Sequence, residues 1–269
     1  MKNAISVDLE DWFCAYNLEI AIEDWDNQEL RIVANTRRIL EILMKYNTKA
    51  TFFVLGWLAE RVPFLLREIE EQGHEIATHG YSHTLLTDMS PQSFEADLEK
   101  ALHITRASVS QPIVGFRAPS FTITDRTLWA LDILEKHGIK YDSSIFPTSI
   151  HPDYGIPNAP LSIHQRGKLI EVPLSCVEIL GMRIPCSGGG YFRVFPYSLT
   201  RLLMRQCNRI GRPVIFYFHP WEIDPGQPRM QLTRLKAFRH YFNLNKTESR
   251  LTQLLTEFDF TTIKEVIGL

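Results

Sequence analysis

The strongest constraint on the fold of this chain is a rhythm along it. Short runs of apolar, β-branched and aromatic residues alternate with amphipathic stretches long enough to be helices. Residues 4–7 form one such run and end at Asp8. Residues 49–56 form a second, closed by Gly56. Residues 75–78 lead to His79, residues 114–117 carry Arg117, and residues 214–218 lead to His219. Between them, residues 31–46 place Ile32, Ile39, Leu40, Leu43 and Met44 at helical spacing. Residues 63–72 are opened by a proline and closed by Gly73, the usual asymmetry of a helix. Further helices are predicted from Ser90, with Phe94, Leu98, Ala101 and Leu102 facing inward, and over 125–137, ending at Gly138. A last helical region runs over 230–258 with a break near 242–245.

Strands alternating with helices imply βαβ units, hence a parallel sheet or a (β/α) barrel. The ionisable residues fall just after strands. In a barrel those ends share one face, where active sites are built. A doubly wound open sheet is the alternative, since it too puts ligands at strand C-termini. There is no dinucleotide fingerprint and no phosphate loop, and Gly188-Gly189-Gly190 reads as a loop of close backbone approach.

The chain's 269 residues, 45% hydrophobic, suffice to bury a sizeable core. A net charge of −2 with no basic run argues against nucleic acid or an anionic membrane as partner. Cys14, Cys176, Cys186 and Cys207 are scattered without a Cys-x-x-Cys unit, which reads as reduced cysteine. No signal-like run precedes the first acids, and no stretch approaches the ~20 apolar residues of a membrane span. The expectation is a soluble, cytoplasmic protein with no integral membrane segment; oligomeric state is not legible.

His79-Gly80-Tyr81-Ser82-His83 places two imidazoles four residues apart. If the segment turns like a helix, both rings project to one side and can grip one metal ion. By itself the pair is weak, because such spacing is common by chance. The acids Asp8, Glu10 and Asp11 near the start offer a third ligand. Two histidines and a carboxylate suit zinc or a similar divalent ion, whereas calcium or magnesium prefers oxygen alone. His74, His103, His137, His151, His164 and His240 read as ordinary histidines.

Taken in order, the acidic cluster, Ala50-Thr51-Phe52-Phe53-Val54-Leu55-Gly56, His-x-x-x-His, Arg117-Ala118-Pro119 and Phe218-His219 resemble the polysaccharide deacetylase family, also called the NodB-homology or carbohydrate esterase family 4 domain. The resemblance covers roughly residues 4–220. The tail with Trp221-Glu222-Ile223-Asp224-Pro225 resembles the extension on deacetylases encoded with exopolysaccharide and exosortase loci. The resemblance implies an α/β fold, a distorted (β/α) barrel, with a deacetylase domain over 1–225 and a helical extension over 226–269 packed on it. It also implies metal-dependent removal of N-acetyl groups from an N-acetylated glycan of a bacterial polysaccharide.

The family's first motif is usually Thr-Phe-Asp-Asp-Gly, and this chain departs from it. Asp8-Leu9-Glu10 is closer to the Asp-x-Asp variant of the peptidoglycan deacetylase-like and allantoinase-like branch, which also carries His-Gly-Tyr-Ser-His. The resemblance therefore implies Asp8 as base, with Glu10, His79 and His83 on a divalent ion, zinc first, and Asp11 as reserve ligand. Alternate residues of an extended segment face one way, which favours Glu10 beside Asp8. Arg117 is expected to orient the base, a backbone N–H near Ser120 to hold the oxyanion, and His219 to act as the acid, oriented by Asp142. Tyr191 and Trp221 are expected as apolar walls for sugar rings. Two other readings stand beside this one: a cyclic amide or imide hydrolase, and a catalytically inactive glycan-binding module.

Overall fold

The computed structural model describes residues 1–149 and 154–269; His151 lies outside them. The strands are β1 (Asn3–Leu9), β2 (Thr51–Val54), β3 (Glu75–Thr78), β4 (Gly115–Phe116), β5 (Tyr141–Asp142), β6 (His164–Arg166), β7 (Leu169–Glu171), β8 (Cys176–Ile179), β9 (Met182–Pro185), β10 (Ile215–Phe218) and β11 (Phe260–Thr261). The helices are α1 (Ile32–Lys45), α2 (Gly56–Arg61), α3 (Pro63–Glu71), α4 (Pro91–Ser108), α5 (Trp129–Lys136), α6 (Gly189–Val194), α7 (Tyr197–Arg209), α8 (Arg234–Tyr241), α9 (Leu244–Glu257) and α10 (Ile263–Ile267).

The main sheet runs β10-β1-β2-β3-β4-β5-β7-β6, with β11 paired to the start of β1. Its pairings are parallel apart from the β6–β7 hairpin. Every residue of β1, β2, β3 and β10 is buried, as expected of parallel strands covered on both faces. Beyond β5 irregular backbone carries the curl round towards β10. Leu174 N donates to Ile145 O at 3.0 Å, Cys186 N to Ser175 O at 3.0 Å, and Tyr217 N to Ser187 O at 2.7 Å. The result is a curled α/β sheet, a distorted barrel closed on one side by these bridges in place of a ladder.

Local chemistry explains the elements. Ser90 caps α4 by accepting from Ser93 N, with Pro91 in the first turn. α1 buries Ile32, Ile39, Leu40, Ile42 and Leu43 against the core. Truncating a fully buried aromatic such as Phe52 or Phe216 would cost about 3–5 kcal/mol. Gly188 sits where its backbone meets that of Tyr217: φ is +120°, and a Cβ there would lie 1.9 Å from Tyr217 O. The expected close approach is present, although Gly189 and Gly190 start α6 and do not remain loop.

Two expectations are corrected. The helix read over 125–137 begins only at Trp129, because Thr127 Oγ1 donates to Thr122 O and receives Thr124 N–H, drawing the preceding backbone into a turn. The β8–β9 hairpin, α6 and α7 fill a region in which no elements had been read. Among the described residues, no helix is long and apolar enough to cross a membrane.

Candidate active site

Three buried side chains meet at the C-terminal ends of β1 and β3. Glu10 Oε1 lies 3.0 Å from His79 Nε2 and 3.0 Å from His83 Nε2. His79 Nδ1 faces the Arg117 carbonyl at 2.7 Å, and a carbonyl can only accept. Nδ1 therefore donates to that carbonyl, and in the neutral ring, the form that binds a metal, Nε2 presents a lone pair towards the Glu10 carboxylate. Lone pairs converging in a buried space call for a cation between them. An N₂O donor set of this kind suits zinc with a position left open for substrate or water. Burial by itself would raise the Glu10 pKa, but His83, His219 and the hydrogen bonds of His79 and His83 outweigh it and hold the carboxyl well below its usual range.

The segment from His79 to His83 is not helical. Gly80 has φ +74° and His83 has φ +56°, and the turn is shaped from outside. Asp97, on α4, accepts from Tyr81 N at 2.7 Å, Ser82 N at 3.1 Å and Ser82 Oγ at 2.6 Å. Gly56 N and Trp57 N, at the start of α2, donate to the carbonyls of Gly80 and Tyr81. A side chain at position 80 would meet Asp97 Oδ2 at 2.9 Å in addition to its unfavourable φ.

Asp11, the reserve ligand, is engaged elsewhere. Its Oδ1 accepts from Trp12 N, and its Oδ2 from Arg31 N at 2.7 Å and Ile32 N at 2.8 Å. It therefore satisfies the first N–H groups of α1, which have no partner inside the helix. Burial still pushes its pKa up to about 6 against these bonds.

Asp8 and Ser6 share a face of β1, and Arg117 Nη1 reaches both, at 2.7 Å each. Arg117 is fully buried. Its Nε and Nη2 donate to Ser143 O and Ser143 Oγ at 3.0 and 2.9 Å, and the guanidinium lies 4.1 Å from the Phe53 ring centroid. Ser120 follows in a half-exposed turn with φ +49°. The turn is held by Ala118 N donating to Ser144 Oγ and by Thr122 Oγ1 donating to Pro119 O, both at 2.7 Å.

His219 closes the set from the end of β10. Its Nε2 lies 3.8 Å from Asp8 Oδ2 and 3.9 Å from Glu10 Oε1. Its Nδ1 faces Glu222 Oε2 at 3.2 Å, and its backbone N–H donates to the same oxygen at 3.0 Å. Burial opposes protonation of the ring, but Glu10, Glu222 and Asp8 overcome it and raise its pKa to about 9. Glu222 is lowered to about 2: burial would raise it, and the Arg193 charge and the His219 contacts outweigh burial.

Asp142 does not orient His219. Its oxygens accept from Ser144 N and Ser144 Oγ, and it is paired across the β5–β7 ladder with Glu171. β5 and β10 are separated in the sheet by four strands, so the acceptor comes from His219's own turn. Burial and the neighbouring Asp142 drive Glu171 well above the usual carboxylate range, which favours its protonated form. Trp221 is also corrected as a sugar wall. It is 6% exposed and sandwiched between His219 (centroids 5.1 Å, 20°) and His240 (4.5 Å, 12°). Tyr191 is half-buried and stands edge-on to Phe146, in a cluster with Phe121 and Tyr217. Asp97, Ser6, Ser143, Ser144, Arg193 and Glu222 were missed. Only Glu222 carried a local signal, since His219-Pro220-Trp221-Glu222 has the spacing of a capping box, with proline in the first turn.

A model described as polysaccharide deacetylase matches residues 23–141, which include His79, His83 and Arg117. A domain family of unknown function, DUF3473, matches residues 143–268, which include Arg193, His219 and Glu222. A peptidoglycan deacetylase of Helicobacter pylori is 28% identical over 270 residues, covering 91% of this chain and 90% of that protein. A peptidoglycan deacetylase-like protein of Gibberella zeae is 34% identical over 110 residues, 40% of this chain; the match spans 32% of its length. A crystal structure from Mycobacterium smegmatis, assigned to the polysaccharide deacetylases, superposes with a TM-score of 0.61 at 19% identity, covering 99% of this chain and 90% of that one. Residues 23–141 thus match the polysaccharide deacetylase family, hydrolases of N-acetyl amide bonds, and the chain has that family's NodB-homology (carbohydrate esterase family 4) fold.

Proposed function

We propose that this protein is a divalent-metal-dependent N-deacetylase of amino sugars in a bacterial polysaccharide, with zinc as the ion and an exopolysaccharide as the glycan. One observation carries the reading: Asp8 and His219, 3.8 Å apart, stand over the Glu10–His79–His83 trio, giving a base and an acid beside one donor set. Glu10, His79 and His83 would hold the ion, which when bound supplies Lewis-acid polarisation of a carbonyl and a lowered water pKa.

Asp8, fixed in direction by Arg117, takes the proton of the attacking water. The turn after Pro119 offers the backbone N–H of Ser120 to the developing oxyanion, those of Phe121 and Thr122 being bonded to Ala118 O and Pro119 O. His219 then donates its Nε2 proton to the departing amine, with Nδ1 held by Glu222. Tyr191 supports the reading as a partly exposed aromatic beside this face. The exopolysaccharide assignment rests on the resemblance of the tail from Trp221 to Pro225.

The test is acetate release from an N-acetylglucosamine oligomer. Activity lost on thorough chelation, restored by zinc and absent in His79→Ala supports the proposal. Full turnover by metal-stripped protein would overturn its metal dependence.

A further inference from the structure

Within the region that matches a domain family of unknown function, one arginine ties the C-terminal helices to the turn that holds His219. Arg193, on α6, is 2% exposed. Its Nε donates to Glu222 Oε1 at 2.7 Å. Its Nη1 donates to His240 O at 2.8 Å and Phe242 O at 3.1 Å, and its Nη2 to Arg239 O at 2.9 Å. Those three carbonyls belong to the last turn and exit of α8, where backbone acceptors have no intrahelical partner and a cation is favoured. Two nitrogens of the guanidinium thus cap a helix, while its Nε–H holds the carboxylate that holds His219.

A second contact reinforces the first. Trp221 is stacked between His219 and His240, and the Arg193 guanidinium carbon is 5.3 Å from the Trp221 ring centroid. His240 sits on α8, and its Nε2 faces Gln227 Oε1 at 2.7 Å; Gln227 Nε2 returns to Trp221 O at 2.8 Å. From α9, Arg250 Nη1 donates to Phe192 O, Arg193 O and Phe195 O, closing the end of α6. At the far end of the His219 turn, Asp224 pairs with Arg31, at the start of α1. Planar, pre-aimed donors of this kind are a function of arginine that lysine does not reproduce.

We propose that the segment matching the domain family of unknown function is the acid-positioning half of the active site. In it Arg193 acts as a positioning residue for His219 through Glu222, and α8 braces Arg193. The proposal rests on the reading of His219 as the acid. It gives the C-terminal helices a role in turnover in addition to packing.

The experiment uses the full chain carrying Arg193→Lys, with Glu222→Gln as a second, isosteric variant should the first fail to fold. Three quantities are read with bound zinc matched to wild type: kcat and KM for acetate release from an N-acetylglucosamine oligomer, and the ring N–H proton resonance of His219, identified by its loss in His219→Gln. The expected result is a kcat lowered about 10-fold or more with KM within about twofold, and a His219 Nδ1–H resonance moved upfield or broadened. An unchanged resonance in a folded variant, or a kcat within about twofold of wild type, would overturn the proposal. If wild-type protein releases no acetate, the deacetylase reading fails, and the resonance alone still decides the positioning claim.

Discussion

The Asp97 carboxylate receives the backbone N–H of Tyr81 at 2.7 Å, from a helix eighteen residues long to a turn that carries two histidines. With the Ser82 bonds added, this one side chain replaces the helical hydrogen bonds that the segment 79–83 lacks. The ligand geometry is therefore held by α4 and not by the segment's own backbone.

Asp97→Ala is expected to lower zinc affinity about 10- to 100-fold, the usual cost of removing a group that orients metal ligands. Circular dichroism should stay unchanged. Isothermal titration on metal-free protein measures it, and wild-type affinity in the variant would show that the turn is self-supporting.

Metal removal is expected to lower stability, because Glu10, His79 and His83 then leave their lone pairs opposed in a buried space. Free zinc at a hundred times its Kd should restore about 2.7 kcal/mol. The measurement is urea unfolding with and without chelator. A coincident pair of curves would argue against binding at this trio.

Arg117→Met is expected to destabilise the protein by about 3–5 kcal/mol, since it leaves Asp8 buried without its partner. It should also abolish turnover. A loss below about 1 kcal/mol in chemical denaturation would mean that Asp8 finds another donor.

Buried histidines set an acid limit. Burial lowers His74 to about 4, where its Nδ1 accepts from Ala50 N, and His240 to about 3. Both fall below the ordinary value of 6.5, so the unfolded chain binds protons that the folded one refuses. Their contribution is complete above about pH 7 and lost as pH falls from 6.5 towards 4 and 3, at ~1.4 kcal/mol per pH unit for each. Asp11, raised to about 6, opposes this by up to one proton between pH 6 and 4. His74→Asn should remove one proton from the slope of unfolding free energy against pH; an unaltered slope would contradict the assignment.

Glu171 has the reverse sign. Its folded pKa lies well above the ordinary value, so its protonated form is needed in the fold and stability is lost as pH rises. Glu171→Gln, which keeps the acceptor for Ile145 N and offers an N–H to Asp142, should stabilise the protein at pH 8 and have little effect at pH 4. Destabilisation at pH 8 would show that Glu171 is not protonated in the fold.

Much of the sheet was legible because its signals are local. Residues 75–78 were read as a strand and are β3 to the residue; α1, α3 and β10 start or end within one or two residues of expectation. The break expected near 242–245 separates α8 from α9 at Phe242 and Asn243. The segment 172–188 is not legible, because its backbone is ordered by Ser175, Ser187 and Tyr217 reaching across the curl, and such contacts leave no periodicity; α7 does carry a helical pattern in Thr200, Leu203, Met204 and Cys207, which was missed.

The same division runs through the site. The order of the motifs and their resemblance to a known family mark Asp8, Glu10, His79, His83, Arg117 and His219, and the structure brings them together because each ends or follows a strand and strand ends of a parallel sheet share a face. Pattern could not say that Asp11 would cap α1 or that Trp221 would be buried between two imidazoles; for His219 it offered only the capping-box spacing of Glu222. A carboxylate's role is set by which donors reach its oxygens, and for Asp11 and Glu222 those donors come from Arg31, Ile32 and Arg193 through the packing of separate elements. Spacing along the chain carries no information about contacts of that kind; the folded arrangement does.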